Sequence, residues 1–82
     1  MDNSTTTVFS VTHEKEREMR QILTEVYTAL KQKGYNPINQ IVGYILSEDP
    51  TYITTYEGAR SKITKVDRDD ILQALVRHYL AE

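Results

Sequence analysis

The strongest constraint in this 82-residue sequence is the spacing of its apolar residues. They recur three and four positions apart, the period that places side chains on one face of an α-helix, and alternation long enough for a strand is never sustained. The clearest case is the segment 13–33, with Met19, Ile22, Leu23, Val26, Tyr27 and Leu30. The pattern predicts an all-α protein, a compact bundle of about five short helices.

Capping residues indicate where the predicted helices begin and end. Thr12 is a candidate N-cap for the first helix, and Gly34 supplies the left-handed residue that commonly ends a helix. Asn36-Pro37 and Asp49-Pro50 have the order of an N-cap followed by the first helical residue. Asp67 is expected to cap the last helix, so the chain after residue 12 is divided into short helices.

The apolar faces of the later helices predict the core. Segment 56–66 would turn Ala59, Ile63 and Val66 inward, and Tyr27 and Tyr79 are interpreted as core residues with a solvent-facing hydroxyl. Gly43 costs up to about 1 kcal/mol in a helix, which indicates that another backbone packs closely there. The second helix has an apolar stripe of Ile38, Ile41, Val42, Ile45 and Leu46, and the last helix one of Ile71, Leu72, Leu75, Val76, Tyr79 and Leu80.

Residues 1–12 differ in composition from the rest. Five of the first ten residues carry hydroxyl groups, and the apolar ones are few besides Val8, Phe9 and Val11. Such a segment cannot bury enough surface to offset the entropy of ordering it. The sequence therefore predicts a flexible tail over 1–12 and one helical domain over 13–82.

Composition argues against several classes of protein. Cysteine is absent, so disulfides and thiolate metal sites are excluded. We find neither an apolar run of membrane-spanning length nor a secretion signal, and a cytoplasmic location is expected. The formal net charge of −2 is opposite to that of most proteins that bind nucleic-acid phosphates. A small helical DNA-binding regulator is kept as the alternative function.

No grouping of residues with catalytic chemistry is apparent. His13 and His78 each have one carboxylate within helical reach, Glu16 and Glu82, whereas a zinc site needs three or four ligands. No nucleophile has a base and an orienting group nearby, and the three glycines are dispersed rather than gathered in a phosphate-binding loop. The sequence predicts no enzyme, no catalytic residue, no metal and no cofactor.

Two features point to binding instead. The basic residues Arg60, Lys62, Lys65 and Arg68 fall in one stretch, with Lys62 and Lys65 adjacent on a helix face. They form either a solvated face or a docking patch for an acidic or phosphorylated partner. A chain this small also gains stability from a second subunit, and its tyrosines suit either a core or an interface. The tyrosines of the middle helices are Tyr35, Tyr44, Tyr52 and Tyr56.

One ordered string is more specific than these patterns. The run KGYNPINQIVGYILSEDP, from Lys33 to Pro50, resembles the signature of the IreB/ReoM family, small regulatory phosphoproteins of Gram-positive bacteria. The likeness covers about residues 20–80 together with Thr7-Val8-Phe9. Its downstream part includes Ala59-Arg60, Ile63, Asp67-Arg68-Asp69-Asp70-Ile71, Leu75-Val76 and Tyr79-Leu80.

The resemblance implies a helical homodimer whose tail is phosphorylated by a membrane-bound serine/threonine kinase with extracellular PASTA domains. The unphosphorylated form would promote turnover, by a Clp protease, of the enzyme for the first committed step of peptidoglycan synthesis. Phosphorylation would relieve this effect and so tune cell-wall synthesis and antibiotic tolerance. The implied partners are a second copy, the kinase, and the Clp protease or its adaptor.

The family pattern places the phospho-acceptor at Thr7, and the adjacent Thr5 and Thr6 are the alternatives. The chain departs from the pattern where relatives carry an acidic residue shortly before the acceptor. It also has Thr54-Thr55 in place of Pro-Arg, and Thr64 in place of an arginine. Since Arg60 and Arg68 are retained, an arginine face that contacts an adaptor would be weakened or differently tuned here.

Overall fold

The computed structural model describes the backbone of residues 2–80 and the side chains of residues 14–80. Over this range the chain folds into four α-helices and two 3₁₀ turns, so the all-α prediction is confirmed, with four α-helices where five helices were expected. None of the described helices is long and apolar enough to cross a membrane. The elements are α1 (Asp2–Gln32), α2 (Pro37–Ser47), 3₁₀ turns at Pro50–Tyr52 and Tyr56–Gly58, α3 (Ala59–Ile63) and α4 (Arg68–Tyr79).

Helix α1 begins earlier than predicted. Its first residue is Asp2, so Thr12 lies inside the helix and is not its N-cap. No glycine or proline precedes Gly34, and each residue added to an existing helix gains one hydrogen bond, so no residue here forces a stop. The other end is as predicted, because Gly34 has a φ of 86° and the N–H of Tyr35 donates to the carbonyl of Leu30 at 3.0 Å. The mobility of residues 1–12 stays a prediction.

The predicted caps of the later elements are confirmed. The side chain of Asn36 accepts from the N–H of Asn39 at 3.1 Å, with Pro37 as the first residue of α2. Asp49 accepts from the N–H of Thr51 at 3.0 Å, and Asp67 accepts from that of Asp69 at 2.9 Å. Each carboxylate or amide oxygen thus satisfies a donor that has no partner within its helix.

The predicted helix over 56–66 is broken. Glu57 and Gly58 both lie in the left-handed region, with φ of 54° and 71°, and two such residues cannot continue a right-handed helix. The segment therefore forms a 3₁₀ turn followed by the short α3. Ala59 and Ile63 are buried as predicted, and Val66 is half-buried.

The core lies where α1 packs against α2 and α3. Gly43 of α2 faces the ring of Tyr52, not another backbone as expected, since a Cβ placed there would lie 2.6 Å from Tyr52 Cδ1. The carbonyl of Tyr52 accepts from the Gln40 side chain at 2.8 Å, which holds the 3₁₀ turn against α2. The buried apolar residues are Met19, Val26, Ala29, Leu30, Tyr44, Ile45, Ile53, Ala59, Ile63 and Ile71.

Two predicted core tyrosines are exposed. Tyr27 is 40% exposed and Tyr79 is 88% exposed, so the prediction that both belong to the core is wrong. In α4 only Ile71 is fully buried, and the rest of the predicted apolar face is in solvent. The helix approaches α1 with a different side, which carries Asp70 and Arg77. Helical periodicity identified the stripe correctly but could not tell which side of α4 contacts the body.

Candidate docking surfaces

The two lysines of the basic stretch lie toward α1. Lys62 Nζ is 3.0 Å from the carboxylate of Glu25, and Lys65 lines the same side of the molecule. The hydrogen bond from Lys62, followed by one from Gln21, lowers the pKa of Glu25 below its ordinary value. Among the described side chains we find no ion pair for Lys65, so its ammonium group is open to an additional anion.

Arg60 lies toward the opposite side of α3. Its Nε donates to the carbonyl of Ile53 at 2.8 Å, which fixes the guanidinium but leaves its two terminal nitrogens. Hydrogen bonds from the hydroxyl and the N–H of Thr51 lower the pKa of Asp49, and the positive charge of Arg60 adds a smaller effect in the same direction. Arg60 is therefore a positioned cation beside the turn that Asp49 caps.

Arg68 has a structural role. Its guanidinium donates to the carbonyl of Ile45 in the last turn of α2 and also to the carboxylate of Glu48. Orphan carbonyls at a helix C-terminus are satisfied in this way by a nearby cation. Arg68, the first residue of α4, thus caps the C-terminal end of α2. The four cations do not form one patch, since Lys62 and Lys65 lie toward α1 while Arg60 and Arg68 contact the segment 45–53.

Exposed apolar stripes lie on the outer sides of α2 and α4. Helix α2 contains no charged residue, yet Ile38, Val42 and Leu46 recur every four positions on its exposed side, with Leu46 79% exposed. Arg68 brings the end of α2 to the start of α4, from which a second stripe continues. We call these residues the outer apolar surface: Ile38, Val42, Leu46, Leu72, Leu75, Val76, Tyr79 and Leu80.

A groove of about 850 Å³ separates the inner side of α4 from α1. Ion pairs cross it at 3.7 Å between Lys15 and Asp70, and at 3.2 Å between Glu16 and Arg77. Its walls mix apolar side chains with carboxylates, and it lies on the side of α4 that faces away from the outer apolar surface. The described residues thus present two separate concentrations of uncovered apolar surface.

The other residues singled out from the sequence make local hydrogen bonds, are exposed, or lie outside the described side chains. Thr5, Thr6 and Thr7 belong to the latter group, as does His13. Thr54 accepts from the N–H of Tyr56 at 3.2 Å, and Thr64 donates to the carbonyl of Ser61 at 3.0 Å. Thr55 makes no side-chain capping bond, and His78 is exposed. No three metal-binding side chains gather anywhere in the described part of the chain.

Sequence reasoning missed the partners that position the cations. Glu48 lies 20 residues before Arg68, and Glu25 is on another helix from Lys62, so no local spacing connects either pair. Asp49 caps its turn as predicted, whereas Glu48 is the C-cap residue of α2 and also the partner of Arg68. Glu48 has a left-handed φ of 62°, a backbone conformation that the sequence around it does not predict.

The described part of the chain is a small all-helical body with charged and apolar surfaces. The profile of the "IreB regulatory phosphoprotein" family matches residues 4–81 of this chain, and the chain belongs to that family. It is similar to a UPF0297 protein of Acetivibrio thermocellus, with 60% identity over 82 residues that cover 100% of this chain and 91% of the relative. It is also similar to a UPF0297 protein of Ruminiclostridium cellulolyticum, with 56% identity over 75 residues, 92% of this chain and 85% of the relative.

Proposed function

We propose that this chain is a non-enzymatic, cytoplasmic regulatory phosphoprotein that a PASTA-domain serine/threonine kinase phosphorylates on Thr7. In its unphosphorylated form it promotes Clp-dependent turnover of an early peptidoglycan-synthesis enzyme, and phosphorylation stops this. The observation that carries the proposal is the family match, which begins at residue 4 and so includes all three candidate threonines. Membership in a family of regulatory phosphoproteins supports a switch rather than a catalyst.

The direct test is phosphorylation of the full chain by the cytoplasmic domain of the cognate kinase with ATP, followed by mass spectrometry. We expect one phosphate at Thr7, and its loss in Thr7→Ala. Thr5→Ala and Thr6→Ala are the matched controls and should retain it. Absence of phosphate from all three threonines would refute the central claim.

Phosphorylation would act through charge. A phosphothreonine adds about −1.5 to −2 charges and three strong acceptor oxygens. We propose that it folds back on the basic stretch and covers a partner surface there. The receiving cation is either Lys65 or Arg60, because Lys62 already pairs with Glu25 and Arg68 is bound to α2. Lys65 and Arg60 lie toward different elements, so one phosphate contacts only one of them. Repulsion of an acidic partner is the competing mechanism.

The fold-back is tested by NMR on the phosphorylated chain. Lys65→Ala or Arg60→Ala, whichever removes the cation that holds the phosphate, should reduce the phosphorylation-induced shifts of the tail amides, whereas Lys31→Ala should not. Lys31 is the matched control because it is an exposed lysine in the last turn of α1. Unchanged shifts in Arg60→Ala, Lys62→Ala, Lys65→Ala and Arg68→Ala would leave direct repulsion as the mechanism.

We further propose that the protein is a homodimer that buries the outer apolar surface. Exposed apolar patches of this extent on a small protein usually mark an interaction site. Eight large side chains about half exposed or more amount to an area on the order of 800 Å², which is what one partner contributes to a standard interface. A self-complementary contact of two copies would cover both stripes at once.

The alternative of a DNA-binding regulator has no support from the structure or the relatives. Three of the four cations in the basic stretch already bind protein groups, and α3, which carries two of them, is only five residues long. A recognition helix would need to present such residues to base edges and phosphates.

A further inference from the structure

The groove between α1 and α4 has an apolar floor that the chain itself does not cover. Ile22 of α1, Val66 in the turn before α4, and Ala74 of α4 are only half-buried there, although each packs against the core that contains Met19. Uncovered apolar side chains in a concave site favour an apolar occupant, because removing apolar area from water is favourable. The floor therefore favours an occupant with an apolar face of similar width.

The rim of the groove carries an excess of negative charge. Carboxylates of five residues line it against the cations of three. Lys15 and Arg77 pair with Asp70 and Glu16, and Lys62, which does not line the groove, pairs with Glu25. Counting Lys62, the carboxylates exceed the cations by one, and Glu18 and Asp67 have no ion-pair partner among the described side chains. The lining residues in question are Glu16, Glu18, Glu25, Asp67 and Asp70, and Lys15, Lys65 and Arg77. The charge pattern favours a cationic occupant.

The shape of the groove selects the kind of occupant. Its walls are two helices connected by exposed ion pairs, and a helix that lays its apolar face in a groove is a recurrent mode of recognition. A volume of about 850 Å³ accommodates several side chains but not a folded domain. We propose that the α1–α4 groove docks a cationic amphipathic helix of a partner protein. This site does not depend on phosphorylation and lies on the other side of α4 from the proposed dimer contact.

The test uses two labelled synthetic peptides of roughly four helical turns, with the same leucine spacing and either lysine or glutamate on the polar face. Their binding to the full chain is measured by fluorescence anisotropy at moderate salt. The leucine–lysine peptide is expected to bind at least about tenfold tighter than the leucine–glutamate peptide. Equal affinity of the two peptides, or no binding of either, would overturn the proposal.

Matched variants locate the binding. Glu18→Lys reverses a carboxylate of the rim and should weaken the lysine peptide, whereas Glu14→Lys makes the same charge change at an exposed position of α1 that does not line the groove. Ala74→Arg should block the floor, with thermal unfolding followed by circular dichroism as the check on folding. Equal weakening by Glu18→Lys and Glu14→Lys, or unaltered binding to folded Ala74→Arg, would place the peptide elsewhere.

Sedimentation velocity tests whether the groove is instead occupied by a second copy of this chain. Ala74→Arg should leave the mass of the peptide-free protein unchanged, because the proposed dimer contact lies on the opposite side of α4. If Ala74→Arg instead converts a dimer to a monomer, the groove belongs to self-association and the proposal fails. Loss of phosphorylation at Thr7 would not affect either result, so the two proposals are tested separately.

Discussion

Arg68 pairs with Glu48 across 20 residues of sequence, and Glu48 is the C-cap residue of α2, with a left-handed backbone at φ 62°. Glycine is the residue usually found at such a position after a helix, since it has no Cβ to strain. The carboxylate of Glu48 offers what glycine cannot, a partner for the guanidinium that also closes α2. The two residues connect the end of α2 to the start of α4.

We expect Arg68→Ala to lower the free energy of unfolding by about 1.5 to 3 kcal/mol, because a half-buried carbonyl loses a charged donor. Glu48→Gly should be nearly neutral, since relief of about 1 kcal/mol of backbone strain offsets an ion pair worth about 0 to 1 kcal/mol. In the Arg68→Ala background the same change should stabilise. Urea denaturation of the four proteins measures this, and an identical effect of Glu48→Gly in both backgrounds would show that the pair contributes nothing.

Gly43→Ala should destabilise the protein by about 1 to 3 kcal/mol despite the better helix propensity of alanine, because the added methyl overlaps the ring of Tyr52. Tyr52→Leu should remove most of that cost in the double variant. Thermal unfolding of the single and double variants gives the coupling. Additive effects would mean that the ring is not what excludes the methyl group.

The outer apolar surface predicts a change of oligomeric state. Leu75→Glu should convert the proposed dimer to a monomer, since a carboxylate would be buried without a partner in the contact. Gln73→Glu adds the same charge to the groove side of α4 and is the control. Sedimentation equilibrium reports the mass. A wild-type chain that is monomeric at all accessible concentrations would contradict the dimer.

We expect acid to destabilise the folded protein in part by protonating Asp49. Its pKa is lowered in the folded state, chiefly by the Thr51 hydroxyl, so protonation favours unfolding. The stabilisation is complete above the ordinary value of 3.8 and is lost as the pH falls through the lower folded pKa. Asp49→Asn keeps an acceptor but does not titrate, so its stability should vary less with pH in this acidic range.

Thr51→Val is the matched test for Asp49. Removing the hydroxyl should bring the pKa of Asp49 closer to its ordinary value and make the acid dependence shallower as well. An NMR titration of the Asp49 carboxyl carbon measures the pKa, and urea midpoints measured across the acidic range give the slope. A pKa that does not move in Thr51→Val would assign the shift to another cause.

Much of the fold followed from the sequence because its signals are local. Gly34, Asn36, Asp49 and Asp67 act on donors or acceptors within a few residues, so each boundary they mark was predictable. The same holds for the period that buries Ile63. The start of α1 was not predictable in this way, since no residue before Gly34 forces a helix to stop.

The predictions that were wrong concern features that depend on tertiary contacts. A stripe such as that of α4 has the same period whether it faces its own core or a different molecule, and Tyr79 was therefore placed in the wrong environment. The basic stretch has the same limitation, because spacing alone does not show that Arg60 and Lys62 lie toward different elements. Long-range partners such as Glu48 decide which cations remain open to a ligand.

The attachment of α4 to the rest of the molecule has a consequence for how this family can diverge. Ile71 is the one side chain of the described helix that is fully enclosed, so we expect replacements on the outer face of α4 to leave folding nearly intact. Selection on the outer positions of α4 would then act mainly through the molecules that contact them. The family likeness includes Leu75, Val76, Tyr79 and Leu80 on that outer face, which a contact shared by members of the family would explain, whereas the needs of the fold account for Ile71 and Arg68.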